Sequence, residues 1–91
     1  TVAPQALTLL NHDLTRTQAR ALASRLLRDG GTEDAARIER AYLLLFARPP
    51  RPEEVLLCRR LLLSAAGVTP EERWQDLAHV LLCSNEFAYL E

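Results

Sequence analysis

The side chains best suited to chemistry in this chain are its two cysteines, Cys58 and Cys83. On a helical wheel Cys58 falls in the middle of one apolar face, whereas Cys83 falls on the side opposite Trp74 and Leu81. A disulfide needs two oriented side chains whose Cα atoms lie within about 7 Å of each other. Because the two cysteines are expected to point apart, we predict two independent thiols.

A second candidate is a row of polar side chains, Asp76, His79 and Cys83, at positions i, i+3 and i+7 of one helix face. Such a row could hold a metal ion if another ligand arrived from elsewhere. Structural zinc sites, however, usually show paired cysteines or histidines at short spacing. We therefore interpret the row as an ordinary solvated face. Neither cysteine belongs to a Cys-x-x-Cys-His haem signature, and we predict neither metal nor cofactor in this segment.

Spacing alone reveals no combination of nucleophile, base and orienting residue. Ser24, Ser64 and Ser84 lack the glycines of a nucleophile elbow. The segment 29–32, Asp-Gly-Gly-Thr, suits the end of a helix better than a phosphate-binding loop. We expect no catalytic residue here and a role other than that of an enzyme.

The best candidate for a binding surface is a basic helix face. Residues 14–28 contain no acidic residue and four arginines, which are Arg16, Arg20, Arg25 and Arg28. A face of this kind could contact phosphate or an acidic partner. The alternative is that the arginines are solvated, or pair with Glu33, Asp34 and Glu39 of the next helix. The net acidity of the remaining chain favours this alternative.

Composition limits the class of protein. The 91 residues make one small domain, and with 48% hydrophobic but only 5% aromatic residues its core must consist mostly of leucine and alanine. The formal charge of -1 gives no general attraction to nucleic acid or to anionic membranes. No apolar run approaches the roughly 18 residues of a membrane span. We predict neither nucleic-acid binding nor a membrane span in this segment.

The pattern of apolar residues, prolines and glycines predicts an all-α fold. A short N-terminal helix is expected at 4–11, followed by four main helices at about 14–28, 33–47, 52–66 and 70–82. The helix at 52–66 is apolar nearly all round, and we expect it at the centre of a small bundle with antiparallel neighbours. Residues 84–86 are interpreted as a polar tail.

Most large apolar side chains of these helices are expected in the core. The predicted buried residues are Tyr42, Phe46, Leu61, Leu62, Trp74, Leu77 and Leu81. Leu43 and Leu44 fall outside the apolar stripe of their helix. They either widen the core contact or face a second surface, such as another domain of the parent protein.

The segment 48–54, Arg-Pro-Pro-Arg-Pro-Glu-Glu, ends one helix and begins the next. Pro49 and Pro50 cannot continue the first helix, while Pro52 suits the first position of the second, with Glu53 in its first turn. Arg48 could bond the last carbonyl groups of the first helix or reach a carboxylate such as Glu86. We interpret the whole segment as structural.

Five segments, read in order, resemble one known family; they are 5–11, 18–23, 37–42, 48–54 and 81–89, the last with Ser84, Glu86 and Phe87. The family is the planctomycete cytochrome-c-associated domain of unknown function, of which this chain resembles the C-terminal part. The resemblance implies that residues 1–91 are a single helical domain and a fragment of a larger, exported multidomain protein, periplasmic or otherwise outside the cytoplasm. Family members commonly carry asparagine in place of Cys83 and glycine in place of Ala47.

A looser likeness, in Tyr42, Arg48, Pro50 and the terminal Ser-x-Glu-Phe, extends to helical modules of phycobilisome linkers and of secreted bacterial repeats, which are structural or assembly modules. We therefore expect a non-catalytic helical interaction or scaffolding module that contacts other domains of its parent or a partner protein. The alternative is an accessory domain of an exported redox or polysaccharide-degrading enzyme, contributing to a site formed elsewhere. The candidate interaction surface consists of Arg16, Arg20, Arg25, Arg28, Leu43 and Leu44.

Overall fold

The computed structural model describes the backbone of residues 12–64 and 69–90 and the side chains of 14–64 and 69–84. Those ranges form four helices and contain no strand, which confirms the predicted all-α fold. The helices are α1 (His12–Asp29), α2 (Asp34–Phe46), α3 (Pro52–Ser64) and α4 (Pro70–Leu90). The short N-terminal helix predicted for 4–11 lies outside the described residues.

The helices begin and end near the glycines, prolines and capping residues that predicted their ends. The N–H of Gly30 donates to the carbonyl of Leu26 at 2.9 Å, and Gly31 then turns the chain with a φ of 88°. At the start of α4, the hydroxyl of Thr69 accepts a hydrogen bond from the N–H of Glu72 at 3.2 Å. That bond satisfies one of the backbone donors that every helix start leaves without an internal partner.

The fourth helix is longer than predicted, since it continues past residue 82 to Leu90. The polar residues at 84–86 were wrongly interpreted as a tail. Residues 71–90 contain neither proline nor glycine, so nothing in the backbone ends the helix. Ser84 fits within the helix because its hydroxyl donates to the carbonyl of Val80 at 3.0 Å.

The most extensive helix contact in the described residues joins α1 and α4. Three alanines on these helices, Ala19, Ala23 and Ala78, are fully buried, and such small side chains allow two helices to approach closely. The expectation that the third main helix would be central is therefore wrong. Only Cys58 and Leu62 of α3 are buried, and the helix lies at the edge of the bundle.

Five of the seven predicted core residues are buried, namely Tyr42, Leu62, Trp74, Leu77 and Leu81. Phe46 and Leu61 are half-buried and pack against the same cluster. The core thus joins all four helices.

Candidate functional site

The basic face of α1 is solvated. Arg16, Arg20, Arg25 and Arg28 are all exposed. Arg28 lies 3.4 Å from the carboxylate of its neighbour Asp29, and both side chains remain largely in water. Within the described ranges the other three arginines form no ion pair, so the pairing considered with Glu33, Asp34 and Glu39 does not occur. These arginines lie on the exposed side of one helix, and none of them lines the groove described next.

A different set of three arginines lines a groove between helices. A groove of about 560 Å³ opens where α2 begins, α3 ends and α4 begins. Its polar lining consists of Arg37, Arg59, Arg73 and Asp34. Trp74 contributes an aromatic wall, and Leu62, Leu63 and Pro70 contribute the apolar remainder. Sequence reasoning missed this group because its members come from three helices, and no local spacing signals that they converge.

Arg37 is held by a hydrogen bond and lies close to an aromatic ring. Its Nε donates to the carbonyl oxygen of Gly31 at 2.9 Å. Its guanidinium carbon lies 5.8 Å from the centre of the Trp74 ring, close enough for a cation–π interaction. Trp74 is only 3% exposed, so the ring is a fixed platform. The Nη groups of Arg37 have no hydrogen-bond partner in the described part of the chain.

Arg48 and Glu54 form the strongest polar contact near the proline segment. Nη1 of Arg48 donates to Oε1 of Glu54 at 2.8 Å, and Nη2 donates to Oε2 at 2.9 Å. Nη1 also donates to the carbonyl of Pro49 at 3.1 Å. Of the two kinds of partner considered for Arg48, the last carbonyl groups of the helix or a carboxylate such as Glu86, the structure shows a carboxylate, that of Glu54. The side chain of Glu86 lies outside the described residues.

The hydrogen bonds of this pair shift the pKa of both partners toward their charged forms. The hydrogen bonds from Arg48, followed by the one from the N–H of Arg51 at 2.7 Å, lower the pKa of Glu54 to about 2. The hydrogen bond to Glu54 in turn raises the pKa of Arg48. The guanidinium carbon of Arg48 also lies 5.5 Å from the ring centre of Tyr42 and 5.7 Å from that of Phe46. The pair therefore spans the turn between α2 and α3 and is partly covered by these rings.

The two cysteines occupy separate environments, as expected, and both side chains are thiols. Cys58 is buried, and its sulfur lies 4.0 Å from the hydroxyl of Tyr42. Burial raises the pKa of the Cys58 thiol and also that of Tyr42. Since a nucleophilic cysteine needs a lowered pKa, Cys58 has the character of a core residue.

The row considered for a metal ion is only partly at the surface. Asp76 is exposed, whereas His79 and Cys83 are half-buried. No group of three or more histidine, cysteine, aspartate or glutamate side chains among the described residues is arranged to hold a metal ion.

Exposed leucines are concentrated on α2 and α3. Leu43 and Leu44 are 43% and 37% exposed, so they do face outward from the core. On α3 the exposure is larger, at 52% for Leu56, 58% for Leu57 and 82% for Leu63. The sequence reading missed these three because it placed their helix at the centre. No helix in the described ranges is long and apolar enough to cross a membrane.

The geometry defines a small all-α domain whose outward features are an apolar helix face and an arginine-lined groove. Comparison with known families shows to which family the chain belongs. Residues 1–62 match the model of the PSD1 family, described as a protein of unknown function (DUF1553), and the chain belongs to that family. The matched range includes the proline segment 48–54 and ends before the terminal segment 81–89. No curated protein and no solved structure matches the chain.

Proposed function

We propose that this segment is a non-catalytic helical interaction module of a larger, exported protein, and that it docks through the outer face of α3. This outer face consists of Leu56, Leu57, Arg60 and Leu63. The single observation that carries the proposal is the exposure of its three leucines, of which Leu63 is 82% exposed. Grouped apolar side chains on a small domain are typical of an interaction site.

The spacing of these leucines suits a helical partner. Leu56 and Leu63 are seven residues apart, so they stand on the same side of α3, separated by about 10 Å along its axis. Cys58 and Leu62 point the other way into the core. A second helix lying along α3 would cover both exposed leucines at once, as in helix-in-groove recognition.

The positive charges on the outer face of α3 indicate which kind of partner fits it. Arg59 and Arg60 lie between Leu56 and Leu63, and both are exposed. If two copies of α3 packed side by side, in either direction, these arginines would meet the same arginines of the second copy. Like charges in contact disfavour such a pair. The fitting occupant is therefore an amphipathic helix with acidic residues beside its apolar stripe.

The resemblance found in the sequence supports the setting of this proposal. The resemblance to exported planctomycete proteins suggests that the acidic helix belongs to another domain of the parent protein or to a partner protein outside the cytoplasm. The alternative of an accessory domain for a redox or polysaccharide-degrading enzyme has less support. Its first candidates, Arg16, Arg20 and Arg28, lie exposed along one helix, and none of them lines the groove.

A titration with a designed peptide tests the proposal. The probe is an amphipathic helix of about 14 residues with a leucine stripe flanked by glutamates, and its control carries lysines in place of the glutamates. We expect the glutamate peptide to bind at least about tenfold more tightly by calorimetry, because the lysines would face Arg59 and Arg60.

Variants of the domain show which of its residues bind the glutamate peptide. The double variant Leu56→Ser/Leu63→Ser should weaken binding of the glutamate peptide by at least about tenfold, since it removes apolar contact area. Val80→Ser changes an exposed apolar residue of α4 and should have no effect. Equal affinity for both peptides, or for the double variant and the unchanged chain, would refute docking at this face.

A further inference from the structure

The groove lined by Arg37, Arg59 and Arg73 has the size and the polarity of a ligand site. Its volume of about 560 Å³ falls within the range of ordinary ligand pockets, about 300 to 1,000 Å³. Among the described residues, its charged lining consists of three arginines and one aspartate, Asp34. The groove is therefore positive although the whole chain has a formal charge of -1. An anionic ligand group is favoured there.

Arg37 shows that this positive charge is positioned in advance. One edge of its guanidinium is tied to the carbonyl of Gly31, and its central carbon lies 5.8 Å from the centre of the Trp74 ring. A guanidinium fixed in this way loses little conformational freedom when it binds an anion. The paired Nη groups match the two oxygens of a carboxylate.

The apolar side chains of the groove further limit the chemical class of ligand that fits it. Leu62, Leu63 and Pro70 line the same groove as the arginines. A bare inorganic anion would leave these side chains without contact, whereas a peptide carries carboxylates next to apolar side chains. Leu63 belongs both to this groove and to the outer face of α3, so a partner lying on that face would meet the groove at its end.

We propose that the groove binds carboxylate groups of an acidic peptide segment, with Arg37 and Arg59 as the residues that recognise them. This inference rests on the proposed function, because it assigns a second contact to the same acidic partner. Its ligand chemistry is a glutamate or aspartate side chain flanked by an apolar residue.

Trp74 allows a direct measurement, because it is the only tryptophan of the chain. The probe is the blocked tetrapeptide acetyl-Leu-Glu-Glu-Leu-amide, and its matched control is acetyl-Leu-Gln-Gln-Leu-amide. A peptide this short cannot form a stable helix along α3, so its binding reports on the groove alone. We expect a saturable change in Trp74 fluorescence with at least about tenfold preference for the glutamate peptide.

Two neighbouring arginines of α3 provide matched variants. Arg59 lines the groove and Arg60 does not. Arg59→Gln should weaken binding of the glutamate tetrapeptide by at least about fivefold, and Arg60→Gln should change it by less than about twofold. Leu56→Ser, which alters only the outer face of α3, should leave tetrapeptide binding unchanged.

The outcomes separate the two proposals. If Arg59→Gln has no effect, or if both tetrapeptides bind equally, the groove proposal is overturned even when the longer peptide still needs Leu56 and Leu63. Inorganic phosphate is the small-anion comparison, and phosphate that bound as tightly as the glutamate tetrapeptide would also overturn it. Absence of any saturable change, checked by the NMR shift of the Trp74 indole N–H, would do the same.

Discussion

Arg48 and Glu54 face each other across the turn between α2 and α3 and share two parallel hydrogen bonds of 2.8 and 2.9 Å. Five residues separate them, three of which are prolines. The prolines cannot donate backbone hydrogen bonds, so they restrict the path of the chain without tying its ends together. The ion pair supplies that tie, and it fixes the direction in which α3 leaves α2.

Replacing Glu54 with glutamine should remove a pH-dependent part of the stability. The pKa of Glu54 is about 2 in the folded chain, below its ordinary value of 4.5. Its contribution is therefore complete above about pH 5 and is lost as pH falls toward 2, because only the unfolded state gains a proton in that range. Glu54→Gln should lower the free energy of unfolding at pH 7 by about 1 kcal/mol.

Urea unfolding followed by circular dichroism between pH 2 and 7 measures this effect. Glu53→Gln, one residue earlier on the exposed side of α3, is the control and should keep the pH dependence of the unchanged chain. If Glu54→Gln retained that dependence in full, the ion pair would not be its source.

Replacing Arg48 with alanine should destabilise the domain, since the change leaves the Glu54 carboxylate without its main donor and uncovers the rings of Tyr42 and Phe46. The urea midpoint should fall. Arg51→Ala, which removes an exposed arginine from the same turn, should shift it less. Full stability of Arg48→Ala together with lost partner binding would show instead that Arg48 is part of an interaction surface.

Ala47 occupies a position that favours glycine. It ends α2 in the left-handed conformation, with φ 57° and ψ 30°, and its N–H donates to the carbonyl of Leu43 at 3.2 Å. A side chain at this conformation strains the backbone, so the position is suited to glycine. Ala47→Gly should raise the free energy of unfolding by about 0.5 kcal/mol.

The same substitution inside a helix is the control. Ala36 is exposed within α2, and Ala36→Gly should lower the free energy of unfolding by about 1 kcal/mol. Thermal or urea unfolding of both variants gives the comparison. A loss of stability in Ala47→Gly comparable to that in Ala36→Gly would contradict the left-handed helix end.

The two thiols should react at different rates with iodoacetamide. Cys58 is 2% exposed and its pKa is raised by burial, so both access and thiolate formation are suppressed. Cys83 is half-buried and should be alkylated first in the folded chain at pH 8. Mass spectrometry of tryptic peptides distinguishes the sites, and unfolding in urea should make both react. Faster alkylation of Cys58 in the folded chain would contradict the packing against Tyr42.

Much of the fold could be predicted because its signals are local. Thr69 and the prolines at 49, 50 and 52 mark helix ends through the chemistry of neighbouring residues. The extensive packing of α1 on α4 could not be predicted in the same way. It depends on small residues such as Ala19 and Ala78, whose helices are distant in the sequence, whereas the continuous apolar character of α3 suggested the opposite.

The candidate sites were less predictable for the same reason. Arg37 and Trp74 are 37 positions apart in the sequence, and only the packed bundle brings them together. The basic residues of α1 could be identified because they are close in sequence, but proximity in sequence on the outside of a helix does not create a concave site. Which leucines of α3 face solvent likewise depends on where the helix lies in the bundle.

Protection of a cysteine placed at position 63, with Cys58 remaining buried in the core, tests the central claim most directly. In a Cys83→Ala background, Leu63→Cys would carry the exposed thiol, and Ser24→Cys, on an exposed part of α1, would serve as the control. With saturating glutamate amphipathic peptide, we predict that labelling at position 63 slows by at least about tenfold while labelling at position 24 is unchanged. Equal labelling rates at position 63 with and without the peptide would contradict the assignment of α3 as a docking face.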